Sequence, residues 1–229
     1  MSHPTTPTPL RVTITGGTSG LGLALVRAFV ARGAKVAFVA RTAAAVAATA
    51  SETGAVGIVG DVSRKEDIHR IALQVGAALG GLDVLINNAS DLGPVPLALL
   101  ADTTCEDLER ALATNLVGPF RLTKALLGAL AASAREGRSA VVVNITSDAA
   151  VTPYETWGAY GASKAALHHM SRIWDAELAG EGVRVLSIDP GDMDTPLHAV
   201  AIPDADRTGL KRPEDAAAEI IAVAVGGAP

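Results

Sequence analysis

Tyr160 and Lys164 stand four residues apart in Tyr160-Gly161-Ala162-Ser163-Lys164, so a helix through this segment places a phenol and an ammonium on one face. A free phenol ionises near ~10, too high for ready proton exchange at neutral pH, and a neighbouring ammonium lowers that value. The pair is therefore expected to act as an acid/base couple: it protonates a developing alkoxide in one direction and takes a proton from an alcohol in the other. Alone, the pattern arises often by chance on helices. Ser147 strengthens it. It follows the strand-like run Val141-Val142-Val143-Asn144-Ile145-Thr146, thirteen residues before Tyr160, where its hydroxyl can polarise a carbonyl. The competing reading is a loop serine that caps its own backbone. Asn115 is a fourth candidate. Pro119 has no N–H, so the Asn115 carbonyl loses its usual i+4 donor and can hold a water that relays protons from Lys164. A kinked helix with a solvated carbonyl fits the same residues.

A second set of residues suits a dinucleotide. Gly16, Gly20 and Gly22 lie in Thr15-Gly16-Gly17-Thr18-Ser19-Gly20-Leu21-Gly22, between a strand-like and a helix-like run. Glycine lets the backbone turn tightly and approach a pyrophosphate, and a helix N-terminus offers N–H groups and partial positive charge. An ordinary Gly-rich turn is the plain alternative. The next strand-like run ends Val39-Ala40-Arg41-Thr42, without the carboxylate that holds ribose hydroxyls in NAD binders. Arg41 suits a 2′-phosphate, with Thr42 adding a hydroxyl, so NADP(H) is expected to be preferred over NAD(H). A solvated surface arginine is the other reading. Farther on, Asp61 can accept from an adenine amino group while the Val62 backbone supports the ring. Alternatively Asp61 caps the following helix, a position that suits Ser63 better.

These groups work together only if the fold brings them to one edge. Strand-like runs at residues 10–15, 35–39, 56–59, 84–87, 140–146 and 183–189 alternate with helical stretches at 21–31, 43–53, 68–79, 105–134, 160–179 and 213–225. Strands that are apolar throughout imply burial on both faces. The expected fold is α/β: a Rossmann-like, doubly wound parallel sheet of about six strands with helices on both faces. It forms a single domain over residues 10–229, after a Thr/Pro-rich tail at 1–9. Ligands of such sheets bind beyond the C-terminal strand ends.

Composition narrows the partners. The chain is 49% hydrophobic but only 3% aromatic, so its core is built from Ala, Val, Leu and Ile. A net charge of −5 without a basic run gives no reason to expect nucleic acid. No apolar run has membrane-span length and the start lacks a secretory pattern, so no membrane partner is expected. The single cysteine, Cys105, fits a reducing compartment and a cytoplasmic protein, and in the polar loop Asp102 to Asp107 it is a poor nucleophile. No ligand spacing surrounds His168 and His169, and Asp192 and Asp194 are isolated, so no metal is expected.

Quoted together, Thr15 to Gly22, Asn87-Asn88-Ala89, Asn115, Ser147, Tyr160 to Lys164 and Pro190-Gly191 resemble the short-chain dehydrogenase/reductase family in order and spacing. The resemblance implies a tetrad of Ser147, Tyr160, Lys164 and Asn115. In it Tyr160 is the acid/base, Ser147 steadies the substrate, Lys164 binds the nicotinamide ribose and lowers the tyrosine, and Asn115 holds a relay water. It implies cofactor contacts from Gly16, Thr18, Ser19, Gly20, Leu21 and Gly22, and from Asn88 and Ala89. The segment holding Pro190, Gly191, Met193 and Thr195 would orient the nicotinamide amide.

There are departures. Ser90 follows Asn-Asn-Ala where glycine is usual. Many relatives continue into a seventh strand that supports a tetramer, whereas this chain ends at Pro229 after its last helix. A homodimer built on the helices holding Asn115 and Tyr160 is therefore expected rather than a tetramer. The short segment between Thr195 and Pro213 implies an open pocket for bulky carbonyls.

The expected activity is transfer of a hydride between NADP(H) and a ketone, aldehyde or secondary alcohol. Substrate-contact candidates are Asp148, Trp157 and His198, with Asp91 and Leu92 near the mouth. Packing is the alternative for Trp157 and simple solvation for His198. An NADP(H)-sensing regulator has no need of Ser147, Tyr160 and Lys164 together. An NAD-dependent alcohol dehydrogenase is disfavoured by Arg41.

Overall fold

The computed structural model describes residues 8–226, so the expected tail at 1–9 lies outside the described residues except for Thr8 and Pro9. Six strands are present: β1 (Arg11–Thr15), β2 (Lys35–Ala40), β3 (Val56–Val59), β4 (Val84–Asn87), β5 (Val141–Ile145) and β6 (Arg184–Ile188). They form one parallel sheet in the order β3-β2-β1-β4-β5-β6. Parallel neighbours require crossovers, which the helices supply: α1 (Gly20–Ala31), α2 (Ala43–Thr53), α3 (Lys65–Leu79), α4 (Cys105–Leu112), α5 (Gly118–Arg135), α6 (Gly158–Leu178), α7 (Pro196–Ala201) and α8 (Pro213–Val225). Strand order reverses between β1 and β4, and a crevice opens there at the C-terminal strand ends.

The two-residue period of a strand builds the two cores. Val12, Ile14, Val84, Ile86, Val141 and Val143 face α1 and α8, meeting Leu25, Phe29, Ala217 and Ile220. The residues between them, Leu85 and Val142 among them, face α3 and α5, meeting Ile71, Val75, Leu122 and Leu130. With strands buried on both sides, few positions are left for polar groups, and those present carry specific bonds.

Asp83, just before β4, is such a position. Its side chain is 0% exposed and takes Arg11 Nη2 at 2.8 Å and Arg138 Nη2 at 2.5 Å, with the Arg11 backbone N–H at 2.8 Å. Burial alone would raise this carboxyl. The guanidinium bonds from Arg138 and Arg11 outweigh it and hold the group well below the usual carboxylate range. Two chain segments far apart in sequence are thereby pinned beneath the sheet. Asp83→Asn is expected to cost about 3 kcal/mol or more, because two arginines lose the buried carboxylate between them. The folded-state value is depressed, so this contribution is fully present above the ordinary carboxylate range and is lost progressively as pH falls from that range toward the depressed folded-state value. Urea unfolding of both proteins at neutral and at acidic pH should show a gap that narrows in acid.

The structure departs from the sequence expectation along the stretch 105–134. The single long helix is α4, then a π-helical turn at Ala113–Val117, then α5. Pro119, at the start of α5, cannot donate, and Gly118 passes so close to Val62 that a Cβ there would lie 2.8 Å from its carbonyl oxygen. Cys105 opens α4 rather than lying in a loop, and is exposed. The six-residue helix α7 was not expected.

Candidate active site

A cleft of about 690 Å³ runs along the C-terminal edge of the sheet, from Arg41 and Asp61 at one end to Ala201 and Ile202 at the other. That volume is in the range of small-molecule and cofactor sites. The glycine loop forms its floor at the sheet's switch point. Gly16 and Gly20 have φ of 70° and 49°, in the left-handed region that favours glycine. A Cβ on Gly22 would lie 2.0 Å from the Gly16 carbonyl oxygen. Ser19 sits at the N-cap of α1 in extended backbone with no side-chain cap bond. A bare helix start behind glycines that admit no side chain is the cradle a pyrophosphate requires, so the residues present fit a dinucleotide.

The loop is tied to its neighbours by hydrogen bonds. Thr15 Oγ1 accepts from the backbone N–H groups of Asn88 and Ala89, each at 3.0 Å, and Asn88 Nδ2 donates to the Thr15 carbonyl at 2.9 Å. Thr18, Leu21, Val62, Pro190, Gly191 and Met193 also line the cleft. Arg41 and Thr42 are exposed at its end, and among the described residues Arg41 makes no ion pair. Asp61 is not the helix cap, and neither is Ser63. Helix α3 begins at Lys65, with Arg64 before it. Asp61 Oδ1 instead accepts from the N–H and hydroxyl of Ser63 at 2.9 and 2.7 Å, while its own N–H donates to Asp67 Oδ2 at 2.8 Å. Thr195 caps α7 by accepting from the His198 N–H at 3.2 Å, and its methyl packs where a side chain on Gly20 would stand.

Tyr160, Lys164 and Ser147 meet in the middle of this cleft. Tyr160 lies in the first turn of α6, which begins two residues earlier than expected. Lys164 Nζ donates to the Ile145 carbonyl at 2.9 Å and stands 5.4 Å from the centre of the Tyr160 ring. Burial pushes the Lys164 amine down to about 8. Burial also pushes the Tyr160 phenol up to about 12. The hydroxyls of Ser147 and Ser90 act in the opposite direction, and the carboxylates of Asp189 and Asp148 reinforce the rise. The expectation of a lowered tyrosine is therefore corrected for the protein by itself: both groups leave water, and burial outweighs the neighbouring hydroxyls. Ser147 does cap its own backbone, accepting from the Ala149 N–H at 3.2 Å, yet it still lines the cleft.

Asn115 is fully buried and does not line the cleft. Its side chain is a staple. Oδ1 accepts from the Asp91 N–H at 2.8 Å, while Nδ2 donates to the Asp91 carbonyl at 2.7 Å and to Ser163 Oγ at 2.8 Å. The loop after β4 is thus bound to the helix that carries Tyr160 and Lys164. Spacing pointed to the asparagine carbonyl and gave no sign of this use of the amide.

The far end of the cleft is apolar. Leu92, Trp157, Leu197, Ala201 and Ile202 line it, and Trp157 packs edge-on against Tyr160 with ring centres 5.5 Å apart. Asp148 lies at its edge, accepting from Ser147 Oγ at 2.9 Å and from Tyr154 OH at 2.6 Å. His198 lines the cleft half-buried, with Nδ1 buried and unpartnered among the described residues, so simple solvation does not describe it. Asp91 is absent from the lining; its carboxylate holds the Gly93 N–H at 2.8 Å and pairs with Arg110. His168 pairs with Ser187 behind the sheet edge at 2.8 Å. Tyr154 was missed by sequence reasoning, because nothing in its local sequence marks the Asp148 contact.

Comparisons with known proteins agree on one relationship. A sequence model of the short chain dehydrogenases matches residues 11–206. A short chain dehydrogenase of Pseudocercospora fijiensis is 34% identical over 208 residues, which are 87% of this chain and 64% of that protein. This chain therefore spans slightly under two thirds of that relative. Among solved structures, a 3-ketoacyl-(acyl-carrier-protein) reductase of Brucella melitensis in complex with NADH superimposes with a TM-score of 0.85 at 27% identity, covering 93% of this chain and 89% of the other. A short chain dehydrogenase of Shigella flexneri in complex with NADP does so with a TM-score of 0.80 at 26% identity, covering 89% and 86%.

Proposed function

Because the chain belongs to the short-chain dehydrogenase family, we propose that it is an NADP(H)-dependent carbonyl reductase or alcohol dehydrogenase acting on a ketone, aldehyde or secondary alcohol. One observation carries this reading. Tyr160, Lys164 and Ser147 converge in the cleft whose other half is a glycine cradle at a helix start. When bound, the nicotinamide cofactor supplies or takes the hydride.

The chain's own residues do the rest. Gly16, Gly20 and Gly22, with the start of α1, hold the pyrophosphate, while Asn88 and Ala89 support the floor. Arg41 and Thr42 take the 2′-phosphate, and Asp61 and Val62 the adenine. Pro190, Gly191, Met193 and Thr195 border the nicotinamide end. Tyr160, protonated at neutral pH with its phenol near 12, gives its proton to the substrate oxygen as the carbonyl is reduced. Ser147 orients that oxygen once its hydrogen turns from Asp148, Lys164 holds the ribose, and Asn115 keeps the two walls in register.

The apolar wall of Leu92, Trp157, Leu197 and Ile202 supports a hydrophobic carbonyl, and Asp148 disfavours an acidic one. A homodimer through α5 and α6 belongs to the same reading, since these helices leave Phe120 and Ile173 exposed. The test is a panel of ketones, aldehydes and secondary alcohols with each nicotinamide cofactor. Turnover with NADPH and apolar carbonyls is expected. Tight NADPH binding with no turnover across the panel would replace the enzyme reading with that of a sensor.

A further inference from the structure

Ser90 lies where β4 delivers the chain into the cleft, and its hydroxyl oxygen is buried without a hydrogen-bond partner among the described residues. Leaving a buried hydroxyl unpaired costs free energy, so a group kept this way points to a partner in the working state. The backbone on either side of Ser90 is fixed. Ala89 is held by Thr15 Oγ1, and Asp91 is held at both its N–H and its carbonyl by Asn115. Asn115 also donates to Ser163, whose hydroxyl donates to the Tyr160 carbonyl at 2.7 Å. This chain of bonds sets the Ser90 loop against the first turn of α6.

Ser147 meets the phenol differently. Its hydrogen goes to Asp148, and its oxygen already accepts from Ala149. The Tyr154 hydroxyl, the largest influence on Asp148, holds that carboxyl below its ordinary value, so Asp148 is ionised and can only accept. Ser147 therefore presents a lone pair to Tyr160. That suits a phenol, whereas a phenolate gains no donor from Ser147.

We propose that Ser90 supplies the missing donor: it is a positioning residue whose hydroxyl hydrogen-bonds the Tyr160 oxygen after the proton has left. The inference rests on the acid/base reading of Tyr160. In reduction the Tyr160 O–H bond breaks, the substrate O–H bond forms, and the phenolate oxygen takes a hydrogen bond from Ser90 with no proton transferred from it. Burial opposes the phenolate, and the hydroxyls of Ser90 and Ser147 work against burial; Ser147 does so only by turning its hydrogen away from Asp148. The charged groups facing the phenol are Lys164 on its own helix, Asp148 after β5 and Asp189 after β6. From the β4 loop the Ser90 hydroxyl acts on it, while the Asp91 carboxylate is paired with Arg110.

The experiment is the pH dependence of alcohol oxidation for wild type, Ser90→Ala and Ser90→Thr. Ser90→Ala should move the rising limb about one pH unit upward, making the rate about tenfold lower on that limb and unchanged above it, while Ser90→Thr restores the profile. A Ser90→Ala profile that superimposes on wild type, or falls by the same factor at every pH, overturns the proposal. If the wild type oxidises no alcohol, the function proposed above has failed, and the Ser90 question is read without turnover. The chain has two tyrosines, so in Tyr154→Phe the near-ultraviolet phenolate band belongs to Tyr160 alone. With saturating NADP added, Ser90→Ala in that background should titrate higher, and coincident titrations would again overturn the proposal.

Discussion

Tyr160→Phe is expected to lower turnover by about 10²- to 10⁴-fold in both directions while leaving NADPH binding within a few-fold of wild type. The phenol stands in the middle of the cleft, beside Ser147 and the Lys164 amine. Removing its oxygen leaves the ring packed against Trp157 and the glycine cradle untouched. The direction of the pH dependence follows from burial. With the phenol pushed up to about 12, the protonated form needed for reduction persists across neutral pH, whereas oxidation requires the ionised form and accelerates as pH rises. Lys164, at about 8, gains its charge as pH falls through that value, and with it the ability to attract ribose oxygens and stabilise a phenolate. Steady-state rates for both directions, with cofactor binding followed by fluorescence, check the result. A Tyr160→Phe enzyme with wild-type rates would remove the acid/base assignment.

Arg41→Asp should reverse cofactor preference. The guanidinium stands exposed after β2, at the end of the cleft that Asp61 and Val62 also line, without an ion pair among the described residues. A phosphate there gains a charge-assisted bond that a ribose hydroxyl cannot match. The substitution removes that bond and places a carboxylate beside the phosphate. KM for NADPH is expected to rise about 10- to 100-fold, while NADH use improves through the carboxylate's bonds to the ribose hydroxyls. Two solved relatives, one with NADH and one with NADP, show that this fold accommodates either cofactor, so the choice falls to residues such as this one. Equal efficiency with both cofactors in the wild type would contradict the reading.

What the sequence made legible follows from which forces act locally. The strands are short, largely apolar runs, and in the four inner ones burial on two faces reaches nearly every residue, so a parallel sheet covered on both sides was readable, while the order of its strands was not. The glycine loop was readable because only glycine tolerates the backbone of Gly16 and the crowding at Gly22. Bonds that join distant segments were not readable. Asn115 was noticed for its carbonyl because Pro119 is close in sequence, yet its amide grips Asp91 and Ser163, 24 and 48 residues away. The same holds for Asp83, whose partners Arg11 and Arg138 lie 72 and 55 residues off. The sign of the Tyr160 shift was missed because spacing shows that a lysine is near, but not that both groups are dry. Helix α7 was too short for periodicity to mark, and with it went the placement of His198.

The most direct test of the account is the fate of the hydride. The protein would be incubated with NADPH carrying two deuteriums at the transferring carbon and an apolar ketone on which it is active, and the alcohol analysed by mass spectrometry and NMR. The account predicts one deuterium on the carbinol carbon of the product and loss of that product in Tyr160→Phe. An alcohol formed without deuterium on that carbon would contradict it.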